Sequence, residues 1–254
     1  MTINLRKNLI KTLQLTMPRG EPFDLAGLKA LEISAVLAAK YAESGWLVRL
    51  GQGVYAFAGD DWTTHGGLKL LQRRVPGLHV AGKSALALQG VRHNLALRET
   101  LVLWGDSRLY RMPEWFTQRY PARYVGARLF DWSQQESLEA KTLHTPPGVT
   151  KELVVSVPER AVLELLHDVG TKQDVEEAMA LFESLRSPRI AVMGQLLSCC
   201  TSVKTVRLFL TWARETELLD VDALLSVYSI PVGSSSRWVT RLKDGNLMSL
   251  KPLG

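Results

Sequence analysis

One stretch of the chain matches a nucleotide-binding motif letter for letter. Residues 77–84, GLHVAGKS, fit the pattern G-x-x-x-x-G-K-[ST], in which loop N–H groups and the lysine bind phosphates. Such a loop follows a buried strand and precedes a helix. Here the preceding residues are charged and end at Pro76, and the apolar residues 78–81 are themselves the best strand candidate. The pattern therefore predicts a strand, a turn at Gly82 and a helix, with P-loop-like nucleotide binding at Lys83, Ser84 and Asp106 as the alternative.

The other polar residues show no spacing that is typical of catalysis or metal binding. The histidines lack ligand-like spacing, and no serine or cysteine is paired with a base in the sequence. Cys199 and Cys200 are adjacent, so they are too few for a zinc site and cannot join distant segments. The sequence therefore favours a protein that is not an enzyme and needs no metal or cofactor.

Arginine and aromatic residues alternate between residues 92 and 128. Guanidinium groups bind phosphates through paired hydrogen bonds, and aromatic rings stack on bases, so this composition suits nucleic acid. The alternative is that the rings form the core of a mixed sheet and the arginines its solvated face. The residues are Arg92, Arg98, Arg108, Arg111, Arg119, Arg123 and Arg128, with Trp104, Tyr110, Trp115, Phe116, Tyr120 and Tyr124.

The segment 23–57 would position side chains on DNA. Asp24 and Ser34 are good N-caps for two short helices, and Gly45 ends the second. Two apolar strands then flank Gly51-Gln52-Gly53, where glycine permits the positive φ of a hairpin turn. Residues 5–13 add a third helix, which ends at the Pro-rich residues 18–22. This order is typical of a winged helix-turn-helix, whose second helix enters the DNA major groove.

The second helix offers few side chains that read bases. Its expected outward positions are alanines and a lysine, where Arg, Asn or Gln would make paired base contacts. Phosphate contacts should therefore dominate DNA affinity. The DNA-contacting residues that we predict are Ser34, Ala35, Ala38, Lys40, Arg49 and Gln52, with Arg6 and Lys7 on the first helix.

Composition and charge fit an α+β protein of two domains. The net charge is +6, and residues 61–150 hold twelve Lys and Arg against seven Asp and Glu. The polar, glycine-rich residues 59–67 predict a linker, which places a winged helix-turn-helix domain at 1–60 and a larger mixed α/β domain at 61–254. Basic residues of the second domain form a candidate patch that extends the phosphate-binding surface: Lys83, Arg92, Arg111, Lys204, Arg207 and Arg237.

No apolar run reaches the roughly 18–20 residues that a membrane helix needs. The first residues are amphipathic and carry no signal-peptide pattern. We therefore expect a cytoplasmic protein without a membrane partner.

Several separate motifs, in order, resemble those of the AbiEi family, which comprises antitoxins and transcriptional regulators of type IV toxin-antitoxin and abortive-infection systems. They run nearly from end to end of the chain: KYAESGWLVRLGQGVYAFAGDD from Lys40, HVAGKSALALQGVRH from His79, PEWF from Pro113, VSVPERAVLELL from Val155, SVKTVRLFL from Ser202 and PVGSSSRWV from Pro231.

The resemblance implies a function in two parts. In that family the winged helix binds inverted repeats in the operon promoter and represses antitoxin and toxin together. The C-terminal domain is required to neutralise a nucleotidyltransferase-like toxin, which is a functional partner that is not held in a stable complex. No nucleotide is implied. The alternative from the residues alone is a protein-docking adaptor, since winged helices also bind proteins.

Overall fold

The computed structural model describes residues 2–92, 99–133, 135–146, 152–241, 245 and 247–250. These residues form helices and strands in the following order. Residues up to 126 hold α1 (Thr2–Thr16), β1 (Phe23–Asp24), α2 (Leu25–Ala30), α3 (Ala35–Glu43), β2 (Leu47–Gly51), β3 (Val54–Phe57), α4 (Thr64–Arg74), β4 (His79–Val80), α5 (Gly82–Leu88), β5 (Leu101–Gly105), α6 (Glu114–Thr117) and β6 (Ala122–Gly126). The rest hold α7 (Glu136–Lys141), β7 (Leu143–His144), β8 (Val155–Ser156), α8 (Pro158–Asp168), α9 (Val175–Glu183), α10 (Ile190–Cys199), α11 (Val203–Glu215), α12 (Val221–Val227), β9 (Trp238–Arg241) and β10 (Leu247–Leu250).

The chain divides into two compact units, which we call the first and second unit. The first comprises Met1–Pro76 and Arg111–Ala122, and the second comprises Gly77–Tyr110 and Arg123–Gly254. The first unit therefore extends past the boundary that we predicted after residue 60, and it includes a segment that the sequence analysis assigned to the second domain.

The first unit contains the predicted winged helix-turn-helix, and the predicted α+β class is confirmed. The side chain of Asp24 accepts a hydrogen bond from the Gly27 N–H, and the side chain of Ser34 accepts one from the Leu37 N–H, so both N-caps are as predicted. The three strands pair antiparallel in the order β1-β3-β2. Core residues come from all of these elements: Leu13, Phe23, Leu28, Ile33, Ala38, Tyr41, Leu47, Tyr55 and Phe57.

The wing is buried on more than one side. Every residue of β3 is buried, whereas in β2 Leu47 is buried and its neighbours Trp46 and Val48 are 48% and 46% exposed. A Cβ on Gly51 would lie 2.9 Å from Trp115, so α6 packs closely against β2. The outer face of the wing is therefore only partly covered, and two large apolar side chains remain in contact with solvent.

The predicted linker at 59–67 is wrong. Trp62 is 4% exposed, and its ring contacts those of Trp115 and Tyr120 at centroid distances of 5.3 and 5.1 Å. The Thr63 side chain caps α4 by accepting a hydrogen bond from the Gly66 N–H. The glycines that favoured a linker are instead sites of close packing, because a Cβ on Gly67 would lie 2.8 Å from Phe116.

The second unit is built around α8. Its five-stranded sheet has the order β6-β5-β4-β8-β7, with β4 parallel to β8 and antiparallel to β5. The helix α8 packs against α5, α9, α10 and α11, and its residues from Glu159 to Leu166 are all buried. A hairpin of β9 and β10 completes the described part of this unit.

Candidate nucleic-acid interface

The exposed face of α3 is the first component of the candidate interface. Ser34, Ala35, Val36, Lys40 and Glu43 are exposed on this helix and its cap. The serine is fixed as N-cap by its bond to the Leu37 N–H at 3.2 Å. Small side chains at the start of α3 allow its backbone to approach another molecule closely.

Ala38 does not belong to this face, and its prediction as a DNA contact is wrong. It is 0% exposed, and it lies one helical turn before the buried Tyr41 on the side that packs into the core. Val36 takes an outward position that we did not predict as a contact. The signal was present in the sequence, because Val36 and Lys40 are spaced four residues apart and share one side of the helix.

The wing supplies the second component. Arg49 and Gln52 are both exposed, as a DNA-contacting wing requires. The Arg49 Nε donates to the carbonyl oxygen of Gly51 at 3.4 Å, beside a shift in strand register between these two residues. Gly53 has a φ of +67° and closes the hairpin. This contact involves Nε, and the two Nη groups have no hydrogen-bond partner among the described residues.

The first unit carries most of the net positive charge of the chain. It contains twelve Lys and Arg against seven Asp and Glu. Four of the acids form ion pairs, in which Arg19 contacts Asp60, Lys69 contacts Glu21, Arg74 contacts Asp24 and Arg119 contacts Asp61. Among the side chains that the structure describes in this unit, six cations form no ion pair: Lys11, Lys29, Lys40, Arg49, Arg73 and Arg111. Arg6 and Lys7 lie in α1, and their side chains fall outside the described set.

The candidate basic patch of the second domain is not assembled as predicted. Arg92 and Arg237 are exposed, whereas Arg111 is exposed in the first unit. Lys83 Nζ lies 2.9 Å from Glu177 Oε1, so its charge is paired. Lys204 and Arg207 are wrong as surface residues, because both donate to main-chain carbonyl groups inside the second unit.

The aromatic residues between 92 and 128 are mainly packing residues. Trp104 and Phe116 are buried, and the hydroxyls of Tyr120 and Tyr124 donate to the carbonyls of Trp62 and Ser107. Arg123 Nη1 lies 2.5 Å from Asp168 Oδ2. Trp104 and Tyr124 lie on β5 and β6 of the five-stranded sheet, as the sheet-core alternative expects, whereas Phe116 and Tyr120 pack in the first unit. Arg98 lies outside the described residues.

Two sequence models of one family together match nearly the whole chain. The model described as "Transcriptional regulator, AbiEi antitoxin N-terminal domain" matches residues 6–97. The model described as "Transcriptional regulator, AbiEi antitoxin, Type IV TA system" matches residues 98–252. The chain belongs to the AbiEi family of antitoxins and transcriptional regulators. The resemblance noted from the sequence motifs is thereby confirmed.

The fold is shared with a solved structure of low sequence identity. The chain is similar to the crystal structure of the RV2827C protein from Mycobacterium tuberculosis, with a TM-score of 0.57 and 13% identity over 91% of this chain and 87% of that chain. At this identity the likeness concerns the fold alone. No curated protein sequence matches the chain.

The AbiEi motif at 79–93 does not form a phosphate-binding loop. Residues 79–80 are a strand and α5 begins at Gly82, as predicted. The Ser84 hydroxyl accepts a hydrogen bond from the Val102 N–H at 2.9 Å, and Gly82 N–H donates to Glu164 Oε2 at 3.1 Å. The motif residues that would bind a nucleotide are therefore occupied by groups of the protein itself.

The AbiEi motifs at 155–166 and 202–210 lie in the core of the second unit. Glu159 accepts two hydrogen bonds from the Arg189 guanidinium, at 2.9 and 2.8 Å, and Glu164 contacts both His79 and Arg160. Burial alone would raise the pKa of Glu164, but the contacts with His79 and Arg160 and the bond from the Ser156 hydroxyl together lower it. The carboxylates of Glu159 and Glu164 are therefore paired within the second unit.

Arg207 binds the backbone of the last AbiEi motif, PVGSSSRWV. Its buried guanidinium donates to the carbonyl oxygens of Val232 and Ser236, each at 2.7 Å, and to that of Ser234. These three bonds hold the residues 232–236 against α11. Lys204, one turn earlier, donates to the carbonyl of Val169 at 3.0 Å and to that of His167, and burial lowers the pKa of Lys204 despite the nearby Asp168.

Metal and thiol chemistry find no support in the described part of the AbiEi chain. No group of three or more His, Cys, Asp or Glu within it is placed to hold a metal ion. Cys199 and Cys200 are free thiols, and burial raises the pKa of Cys200 to about 12. Of the helices that the structure describes, none is long and apolar enough to cross a membrane.

Proposed function

We propose that the first unit binds double-stranded DNA at inverted repeats in the promoter of its own operon and represses transcription. The observation that carries this proposal is the exposed face of α3 and the wing, which holds Lys40 and Arg49. Neither side chain is paired with a carboxylate of the described residues. Because the acids Glu21, Asp24, Asp60 and Asp61 are paired, the cations without partners dominate the charge that a phosphate backbone would meet.

The exposed α3 side chains favour a particular mode of binding. Ala35 and Val36 can touch thymine methyl groups but form no hydrogen bonds with base edges. Ser34, Lys40, Arg49 and Gln52 suit phosphates and single base contacts. We infer that phosphate contacts supply most of the affinity and that DNA shape contributes to the choice of site.

The test mixes the purified full chain with a labelled DNA duplex from upstream of its own gene. Fluorescence anisotropy measures the affinity at several salt concentrations. The control duplex has the same composition with the repeats scrambled. Tighter binding to the promoter duplex supports the proposal. Equal, weak binding to both duplexes at low salt would show that the unit binds DNA without sequence specificity, which would refute promoter recognition. No binding to either duplex would refute the DNA function.

We also propose that the chain counteracts a nucleotidyltransferase-like toxin encoded beside it, as a functional partner that it does not hold in a stable complex. Membership of the AbiEi family supports this proposal. Co-expression should restore the growth that the toxin alone arrests, while the two purified proteins should elute separately in size-exclusion chromatography. Continued growth arrest would refute the antitoxin activity, and co-elution would refute the absence of a stable complex.

A protein-docking role is the second candidate, and one observation favours it. Trp46, Val48 and Val36 are large apolar side chains exposed on the wing and on α3, and exposed aromatic residues are typical of protein contacts. Trp46→Ser distinguishes the two functions. Loss of a co-purifying protein with unchanged DNA affinity would support docking by this surface.

A further inference from the structure

A cavity of about 290 Å³ lies in the second unit, next to the buried charges of α8. Its walls come from the ends of β4 and β5, from residues 127–132, and from α7 and α8. The volume is close to the lower limit of small-molecule sites in proteins, which is roughly 300 Å³. Neither the proposed DNA binding nor the family description uses this cavity.

Arg160 is the buried cation in its wall. The residue is 6% exposed. Its Nε donates to Glu164 Oε1 at 2.8 Å, and its Nη1 donates to Thr142 Oγ1 at 3.4 Å. A guanidinium has five N–H donors, so the other three have no acceptor among the residues that the structure describes. The rings of Phe130 and Trp132 lie 5.6 and 5.4 Å from Cζ and help to hold the group in place.

A fixed guanidinium with free donors is suited to a carboxylate. Its planar fork can donate two parallel hydrogen bonds to the two oxygens of such a group, and these bonds are strengthened by charge. A carboxylate that enters the cavity would accept hydrogen bonds from the donors of Arg160 that have no acceptor among the described residues.

Acidic side chains also line the cavity. They are Asp106, Asp131 and Glu139, none of which forms an ion pair with a described residue. Asp131 accepts a hydrogen bond from the Ser133 N–H at 3.0 Å, and this bond lowers the pKa of Asp131. These carboxylates can accept hydrogen bonds from an ammonium group.

The charge balance of the lining selects against polyanions. Glu164 offsets the charge of Arg160, so Arg128 is the remaining lining cation beside three carboxylates. Nucleic acid and nucleoside triphosphates would meet repulsion at this site. A ligand with one anionic group, for the free donors of Arg160, and one cationic group, for the carboxylates, would match this lining.

We propose that this cavity binds a free α-amino acid, with its carboxylate on Arg160, its ammonium group toward Asp131 and Glu139, and its side chain against Trp132. The site lies entirely within the second unit, and the proposal goes beyond DNA binding by the first. Its outcome is separate from that of the promoter test.

The experiment titrates the full chain with each of the twenty common amino acids by isothermal calorimetry. At least one should give saturable heat and raise the midpoint of thermal unfolding. Its methyl ester, which lacks the carboxylate, and its N-acetyl derivative, which lacks the ammonium group, should each bind tenfold or more weakly. The proposal is wrong if none of the twenty binds, or if inorganic phosphate or ATP binds and the amino acids do not.

Variants test the position of the ligand. Glu139→Gln and Trp132→Leu should each weaken binding tenfold or more, whereas Glu176→Gln, at an exposed carboxylate of α9, should not change it. Arg160→Lys keeps the positive charge and removes the planar fork of the guanidinium. Because Arg160 is buried, this variant could also lose binding through a folding defect. Glu139→Gln and Trp132→Leu are therefore the deciding variants. If both bind like the parent chain, the amino acid is held elsewhere and the proposal fails.

Discussion

The backbone N–H of Gly82 donates a hydrogen bond to the side chain of Glu164, and the donor and acceptor atoms are 3.1 Å apart. In a P-loop, the N–H groups at this position would bind a phosphate. The carboxylate of Glu164 is fully buried and also accepts a bond from the Ser156 hydroxyl at 2.8 Å. A nucleotide phosphate would have to displace the Glu164 carboxylate, which already accepts the hydrogen bond from the Gly82 N–H.

We therefore expect no nucleotide binding at residues 77–84. Isothermal calorimetry with ATP and Mg²⁺ should give no saturable heat. Lys83→Ala should lower the free energy of unfolding by only about 0–1 kcal/mol, because the Lys83–Glu177 pair is partly exposed. ATP binding that Lys83→Ala abolishes would contradict this expectation and restore the nucleotide alternative.

Glu164→Gln should destabilise the second unit strongly. The substitution removes the carboxylate that His79 and Arg160 contact at 3.0 and 2.8 Å, and leaving the buried charge of Arg160 without a partner costs about 3–5 kcal/mol. Urea denaturation measures the change. Glu177→Gln is the matched control, since its carboxylate is partly exposed, and it should cost much less. Equal losses for the two variants would show that burial of Glu164 is not the cause.

Glu164 should also make the stability of the folded chain depend on pH in a defined direction. Its pKa in the folded chain is below the ordinary value, because the bonds from His79, Arg160 and Ser156 outweigh the opposing effect of burial. The stabilisation is therefore complete above the unfolded pKa of about 4.3 and decreases as the pH falls toward the folded pKa. Urea denaturation of the parent chain and of Glu164→Gln between pH 7 and pH 3 should show that the difference between their free energies of unfolding becomes smaller as the pH falls. A difference that grows would contradict the assignment.

Local signals predicted much of the fold and part of the candidate site. The caps at Asp24 and Ser34, the turn at Gly53 and the strand before Gly82 depend on neighbouring residues, so the sequence was sufficient for them. The return of residues 111–122 to the first unit depends on packing between Gly67 and Phe116, which are far apart in the chain. No local pattern carries such a contact.

Buried charges were the main source of error. Arg207 and Lys204 looked like surface cations because basic residues are rarely buried, and their carbonyl acceptors in 167–169 and 232–236 were not visible in the sequence. The helix α8 carries the charged residues Glu159, Arg160, Glu164 and Asp168. Arg160 pairs with Glu164 on the same helix, and the others contact residues far away in the chain, which no local pattern shows. The exposure of Ser34, Ala35, Lys40, Arg49 and Gln52 agrees with a DNA interface, and their contact with DNA stays a prediction.

The two alanines of α3 form a matched pair for testing which side faces DNA. Ala38→Leu adds volume to a closely packed core and should lower the free energy of unfolding by about 1–3 kcal/mol. Ala35→Leu lies at an exposed position and should change stability by no more than about 0.5 kcal/mol, while it weakens promoter binding. Thermal denaturation and anisotropy measure the two effects. The orientation of α3 is wrong if Ala38→Leu is as stable as the parent chain.

Arg207→Met should release residues 232–236 from α11. The substitution keeps an apolar stem but removes the donors for three carbonyl oxygens, and a buried charge-assisted hydrogen bond contributes about 1.5–3 kcal/mol. Hydrogen exchange should rise in the 232–236 segment. Arg237→Met, at an exposed arginine of the same motif, is the control and should leave exchange unchanged. Equal protection in both variants would mean that Arg207 does not hold this segment.

Lys40→Ala and Arg49→Ala should each weaken DNA binding by a similar factor for promoter and scrambled duplexes, because phosphate contacts carry no sequence information. Each lost phosphate contact should reduce the slope of log affinity against log salt concentration by about one. Lys172→Ala, at an exposed lysine of the second unit, is the control. Glu43→Gln removes a negative charge from the exposed face of α3 and should strengthen binding to both duplexes. A loss confined to the promoter duplex, with an unchanged salt slope, would instead assign Lys40 or Arg49 to base readout.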